Sequence, residues 1–189
     1  MSFGSDQVRG LEYVYSLRNS LDIAAVNMSL GGGYYASACD SRAPAIASVI
    51  NRLTSAGIAV VIAAGNSGTD GYISYPACIR NAIAVGSSNK NDGLSRFSNH
   101  STLIDLVAPG ERITAGVPTR SVKTMSGTSM AAPHVAGAFA LLRSYDPNAS
   151  VASLWTALTC TGEPIVRAGV SRNRIDVRGA FQFLRNGLS

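Results

Sequence analysis

Lysine is almost missing from this chain of 189 residues: Lys90 and Lys123 are the only two, so arginine carries the formal net charge of +5. The arginines gather only near the end, at Arg167, Arg172, Arg174, Arg178 and Arg185. No aromatic residues interleave with them in a base-stacking pattern, so they read as solvated surface and no nucleic-acid partner is expected. Cysteine occurs three times (Cys39, Cys78, Cys160) and histidine twice (His100, His134), with no pair at the close spacing of a zinc site. No apolar run approaches the ~20 residues that span a bilayer, so no membrane partner is expected either. The first residues have neither the basic region nor the apolar stretch of a signal peptide, and any export signal lies outside them. Neither Gly-x-Gly-x-x-Gly nor Gly-x-x-x-x-Gly-Lys-Ser/Thr occurs, which sets aside a nucleotide-binding α/β domain.

Apolar residues make up 46% of the chain and charged residues 14%, a balance that buries a core and argues against disorder. Residues 1–189 read as one domain or part of one, without repeats or linkers. Helical and extended patterns alternate, which argues for an α/β layer fold. Val8, Leu11, Val14 and Tyr15 recur at helical spacing in about residues 6–19. The largely apolar run at 23–30, stopped by Gly31, Gly32 and Gly33, reads as a buried parallel strand. Ile46, Val49, Ile50 and Leu53 mark another helical face, ended by Gly57, and 58–64 follows as a second buried strand running into Gly65 and Asn66. A third strand is expected at 82–86, and brief strands and turns over 94–122. Helices are expected over about 128–144, around Val151, Leu154, Trp155 and Leu158, and over 177–184. Two strands ending in glycine-rich loops matter, because open parallel sheets bind ligands at the carboxyl ends of their strands.

The most informative string is Ser126-Gly127-Thr128-Ser129-Met130-Ala131-Ala132-Pro133-His134-Val135-Ala136-Gly137. A serine in the first turn of a small-residue helix sits where unpaired backbone N–H groups and the positive dipole end collect. An oxyanion formed when that serine attacks a carbonyl would be stabilised there. Pro133 is out of place, since a proline inside a helix deletes a hydrogen bond and costs ~3 kcal/mol. An unfavourable local choice beside a nucleophile points to function.

This string resembles the nucleophile signature of the subtilisin-like serine peptidases. Asn27-Met28-Ser29-Leu30-Gly31-Gly32 resembles the family's substrate strand, and Ala63-Ala64-Gly65-Asn66-Ser67-Gly68 the segment bearing its oxyanion asparagine. Phe97-Ser98-Asn99 and Ala108-Pro109-Gly110 also fit the family's pattern. The resemblance covers most of the chain. It implies a three-layer α/β/α subtilisin-like fold with a mostly parallel central sheet, here the C-terminal portion of a peptidase domain truncated at the N-terminus. It implies Ser129 as the nucleophile of an acyl-enzyme, and Asn66 as a side-chain donor to the oxyanion beside the backbone N–H of Ser129. Ser29, Leu30, Gly31 and Gly32 would offer backbone groups to an extended peptide, with Ala63, Ala64 and Gly65 as the facing wall of the specificity pocket. Small residues on both walls imply a roomy, apolar pocket of broad preference with no acidic residue at its base.

A serine nucleophile needs a histidine base and an orienting carboxylate. In this family the Asp and His motifs come before the region that this chain matches, and neither is present. His134 lies five residues past Ser129 on the same helix, and His100 sits in a polar turn, so neither is placed to take the serine proton. The resemblance implies a serine endopeptidase acting on proteins or peptides, with its Asp and His upstream and a monomeric complete form. A non-catalytic remnant or peptide-binding module that keeps the groove is the reading from a different class. The resemblance also implies secretion, with a Cys39–Cys78 disulfide like that of some bacterial relatives, and Cys160 reads as a buried free thiol. No cofactor is required. A structural Ca2+, held as in proteinase-K-like relatives, would use Pro76, Cys78 and Asp105, against the plainer reading of Asp105 as a surface aspartate.

Overall fold

Alternate residues of one strand show how the layers are built. In the computed structural model, which describes residues 4–118 and 120–187, every residue of the strand Ala59–Ala63 is buried. Val60 and Ile62 point into one hydrophobic cluster, while Ala59, Val61 and Ala63 point into another. Successive side chains of a strand face opposite sides, so a strand covered on both faces must be apolar throughout.

The elements in chain order are α1 (Gly4–Leu17), β1 (Ala25–Met28), β2 (Gly32–Tyr35), a 3-10 turn (Asp40–Arg42), α2 (Pro44–Ser55), β3 (Ala59–Ala63), β4 (Ile73–Tyr75) and β5 (Ile83–Ser88). They continue with β6 (Leu106–Pro109), β7 (Ile113–Val117), β8 (Ser121–Met125), α3 (Thr128–Tyr145), α4 (Val151–Thr161), β9 (Glu163–Arg167), β10 (Val170–Arg174) and α5 (Val177–Arg185). The central sheet has the order β1-β3-β5-β6-β10-β9, and only the β9–β10 hairpin is antiparallel. On one face Leu11 of α1 and Ile46, Val49, Ile50 and Leu53 of α2 meet Val60 and Ile62. On the other, Val135, Phe139 and Leu142 of α3 join Leu154 and Leu158 of α4 against Val61, Val85 and Leu106. The fold is a three-layer α/β/α arrangement with a mostly parallel sheet, as the resemblance implied. Each of these large side chains contributes about 1.5–3 kcal/mol by leaving water.

Local rules set the helix ends. Pro44 opens α2, where a missing N–H costs nothing. Ser150 Oγ accepts the Ser153 N–H at 3.0 Å to start α4, and Asp176 accepts the Gly179 N–H at 3.0 Å to start α5. The first strand is shorter than its apolar run, ending at Met28, because the chain leaves the sheet there to build the site. The ribbon β2–β4 went unseen in the periodicity, since β2 is almost wholly exposed and is a strand by hydrogen bonding, not burial.

Two expectations change, and a third, the disulfide, is met. Arg167 pairs with Asp70 (Nε–Oδ1 2.9 Å) and Arg174 with Asp92 (Nε–Oδ1 2.9 Å), and Arg172 donates to Thr102 O at 2.6 Å. These arginines pin the β9–β10 hairpin to neighbouring loops, and only Arg178 and Arg185 stay exposed. Cys160 is exposed, not buried. It lies two residues past Leu158, roughly 200° round the helix from the face that packs on the core. Cys39 and Cys78 are joined by a disulfide with Cα atoms 5.4 Å apart, tying the turn after β2 to the segment after β4.

The bridge closes a loop of 39 residues in sequence separation. Loop entropy gives it about 4 kcal/mol of stabilisation. The double variant Cys39→Ala, Cys78→Ala should unfold at correspondingly lower urea concentration. Equal midpoints for the variant and the oxidised protein would refute this contribution.

Candidate active site

The first turn of an α-helix leaves backbone N–H groups without partners. At the start of α3 no side chain of Gly127 caps them. Asn66, on the loop after β3, does so from outside: its Oδ1 accepts the Thr128 backbone N–H at 2.8 Å and the Thr128 Oγ1–H at 2.9 Å. Thr128 Oγ1 in turn accepts the Gly65 N–H at 3.2 Å. A backbone N–H can only donate, so the amide oxygen of Asn66 must face Thr128 and the amide nitrogen must face away.

Among the described residues, neither Asn66 Nδ2 nor the Ser129 N–H has a protein acceptor. A Cβ placed on Gly127 would lie 3.4 Å from Asn66 Nδ2 and 3.6 Å from Ser129 N. The two free donors border one small space that glycine leaves open, at the positive end of α3. Ser129 Oγ belongs to the same turn.

Pro133 finds its explanation here. A helical residue gives its N–H to the carbonyl four positions back, and proline has none to give, so the Ser129 carbonyl is released. Ser29 Oγ–H donates to that carbonyl at 2.8 Å, and Asn27 Nδ2–H donates to Ser29 Oγ at 3.0 Å. The proline thereby lets the end of β1 lock onto the first turn of α3.

The loop that carries Asn66 is shaped by residues 97–100. Asn99 is wholly buried. Its Nδ2–H donates to Ala64 O at 3.1 Å, and its Oδ1 accepts the Ser67 N–H at 2.9 Å and the Thr69 Oγ1–H at 3.1 Å. Its backbone N–H reaches Gly65 O at 3.0 Å, while Phe97 O accepts the Gly68 N–H at 2.7 Å. Gly65 has φ +107°, and a Cβ there would run into Ser74 Oγ and Asn99 Nδ2, so only glycine lets the clamp close. From the other side Arg167 donates to Gly68 O at 3.0 Å.

Beside Ser129 lies a cavity of ≈ 420 Å³. Ser29, Leu30, Gly31, Gly32, Ala63, Gly65, Asn66 and Ser129 all line it, so the structure brings together most of the residues singled out in the sequence. Ala64 is the exception. It is fully buried behind the wall, its carbonyl taking N–H groups from Asn99 and Ser74. Gly33 and Thr128 also line it, and so do Tyr34, Ser67 and Ser74, which were not anticipated, because nothing local marks them. Their hydroxyls make the cavity mixed in polarity, where small apolar walls were expected; no lining residue is charged. A hollow of ≈ 400 Å³ on the other flank of Ser129 is lined by Ile113, Met125, Met130, Pro133 and His134 among others.

Neither histidine is bonded to Ser129. His134 Nδ1–H donates to Met130 O of its own helix at 2.8 Å. His100, expected in a polar turn, is 1 % exposed and its Nε2–H donates to Val170 O at 3.1 Å.

The residues suggested for calcium each carry hydrogen bonds within the protein. Pro76 O accepts the Ile79 N–H and Cys78 O the Cys39 N–H, each at 3.0 Å. Asp105 Oδ2 accepts the Ala84 N–H at 2.7 Å and Oδ1 the Trp155 Nε1–H at 3.1 Å. Each oxygen of this carboxylate thus accepts one hydrogen bond, and Arg172 lies near it. Among the described residues no group of three or more His, Cys, Asp and Glu converges. Burial pushes the Asp105 carboxyl up to about 6, against the lowering effect of those hydrogen bonds and of Arg172.

A sequence profile of the subtilase family matches residues 3–174. An extracellular serine proteinase of Thermus sp. (strain Rt41A) is 39% identical over 170 residues, which is 89% of this chain and 39% of that protein. The major intracellular serine protease of Bacillus subtilis (strain 168) is 43% identical over 137 residues, 70% of this chain and 40% of that one. The chain thus spans about two fifths of the length of these relatives. Among solved structures, a cold-adapted subtilisin-like serine proteinase superposes with a TM-score of 0.77 at 30% identity, covering 93% of this chain and 61% of that one.

Two outcomes follow from the geometry. Asn99→Ala strands several buried loop groups at once and should cost on the order of 3 kcal/mol. Amide exchange at Ser67 and Thr69 should accelerate more than exchange in α4; unchanged protection there would remove Asn99 from its role. For Asp105, the folded state holds the proton more tightly than the unfolded chain. Its stabilising contribution is therefore complete below about pH 4 and lost as pH rises through about 6. The loss is at most about 3 kcal/mol, because the residue keeps some solvent contact. Melting temperatures of Asp105→Asn should lack this downward slope, and a slope identical to that of the parent would contradict it.

Proposed function

Since the chain belongs to the subtilase family, we propose that it carries the nucleophile, oxyanion site and substrate groove of a serine endopeptidase. Ser129 Oγ attacks the carbonyl of a peptide lying along residues 29–32. The carbonyl oxygen takes the space between Asn66 Nδ2 and the Ser129 N–H. Two donors already in place meet the negative charge as it develops, so they favour the transition state over the substrate. The observation that carries this reading is the convergence of those two unpaired donors beside Ser129.

The hydroxyl still has to lose its proton, and the departing amine has to gain one. The His and Asp that do this are assigned to residues outside this chain. Two facts support the assignment: both histidines here are committed to backbone carbonyls, and β1 has only β3 as a strand neighbour among the described residues. The free edge of β1 adjoins the Ser29–Ser129 junction, within reach of elements that would bring a base. A peptide-binding module without catalysis is the second reading, favoured by the lack of a histidine on Ser129.

Substrates in this reading are proteins or peptides, and the complete enzyme is a monomer. No nucleic-acid partner is assigned, the arginines of the last hairpin being engaged by carboxylates and carbonyls. Among the described residues no helix is long and apolar enough to cross a membrane. Of the two relatives above, one is extracellular and one intracellular, so the Cys39–Cys78 disulfide is what favours secretion.

A serine-reactive fluorophosphonate tests the assignment. The 189-residue chain alone should stay unlabelled, and a longer form that includes the base should be labelled at Ser129. Labelling of the short chain that disappears in Ser129→Ala would overturn the external base. A complete protein with an intact Asp and His that never labels would favour the binding module.

A further inference from the structure

The hollow on the far flank of Ser129 gathers sulfur and imidazole nitrogen. Met125, Met130 and His134 line it together, from two elements. Met125 closes β8, while Met130 and His134 lie on the first two turns of α3. Residues four apart on a helix share a face, so the last two stand side by side. Both methionines are half-buried and His134 is exposed. Ile113, Ala115 and Pro133 make most of the remaining wall apolar, and no carboxylate, lysine or arginine lines the hollow.

His134 is already held in the form that binds a metal. Its Nδ1–H donates to Met130 O at 2.8 Å, which leaves Nε2 as the lone-pair nitrogen of the neutral ring. Among the described residues Nε2 has no hydrogen-bond partner. Metal-binding imidazoles are fixed in this way, by a bond from the other ring nitrogen to a carbonyl or carboxylate. A thioether is a weak hydrogen-bond acceptor at the end of three rotatable bonds, so its sulfur is free to turn to a soft ion. A Cβ on Gly127 would lie 3.7 Å from Met130 Sδ, which puts this sulfur beside the turn that carries Ser129.

The donor set chooses the ion. Two thioethers and an imidazole are neutral and offer none of the oxygens that Ca2+ or Mg2+ takes. A divalent ion would stand among apolar walls with no anion to balance it, and the desolvation cost grows with the square of the charge. Thioether sulfur selects Cu(I), and imidazole also suits copper. We propose that Met125, Met130 and His134 form a three-coordinate site for Cu(I). The ion enters by exchanging its former ligands for these three, with no change of oxidation state. The site is independent of the endopeptidase reading, since no step of peptide cleavage enters the argument for it.

The test uses the full chain carrying Cys160→Ser, because the exposed thiol would itself bind Cu(I). Copper is kept reduced with ascorbate under argon and shared with the chromogenic chelator bicinchoninate. The chain should take up one Cu(I). Met125→Leu, Met130→Leu and His134→Gln should each weaken binding by roughly tenfold or more. Met and Leu are close in volume, so the two Leu variants should fold like the parent. X-ray absorption at the copper edge reads the ligands without altering any of them, and should show two sulfur neighbours and one nitrogen. No uptake of copper, or a shell of nitrogen and oxygen alone, would overturn the site. Any of the three variants binding copper as tightly as the Cys160→Ser chain would overturn it as a three-coordinate centre.

Discussion

A backbone N–H can only donate, and at Thr128 that restriction organises the site. Its acceptor is Asn66 Oδ1, so the Asn66 amide has one orientation open to it. Reversing the amide would lose two hydrogen bonds and set donor against donor. Each neutral bond is worth only about 1 kcal/mol net. The relay from Gly65 N–H through Thr128 Oγ1 to Asn66 nevertheless makes the orientation cooperative. One side chain thus caps a helix that would otherwise start with unpaired groups and aims its amine at the place where an oxyanion would form.

The rest of the molecule holds that contact still. A parallel sheet buried on both faces delivers the ends of β1 and β3 to one edge, where α3 starts. Pro133 frees the Ser129 carbonyl for Ser29, and Asn99 holds the loop from behind. Asn66 therefore sits on a loop, but on one bonded to rigid neighbours, and Ser129 sits on the first turn of α3. Glycine is needed at Gly65, where Ser74 and Asn99 press against the backbone, and it leaves open the space beside Gly127.

Much of this was visible in the residue order. The apolar runs with glycine stops placed β1 and β3, and the string around Ser129 placed the start of α3 and its serine. Ser29, Leu30, Gly31, Gly32, Ala63, Gly65 and Asn66 were singled out, and all border the cavity with Ser129. Ala64 was counted with them but packs behind the wall, since a strand's side-chain direction alternates and its end cannot be read to the residue. The pocket is more polar than the sequence implied because Tyr34 comes from β2, Ser67 from the loop after β3 and Ser74 from β4, with no shared local pattern. Asp105 looked like a calcium ligand or a surface group, and only its neighbours Ala84 and Trp155 show it to be an acceptor among donors.

What the sequence by itself determined is the set of local facts: which stretches are apolar enough to be buried strands, where helices begin, and which short strings resemble a peptidase's nucleophile and oxyanion segments. Those follow from periodicity and from residue types within a dozen positions of one another. The tertiary structure decided everything that depends on two distant segments meeting. Asn66 reaches Thr128 across 62 positions and Asn99 reaches Ser67 across 32. Hydrogen bonds of that span are set by how the layers pack, so no local pattern announces them.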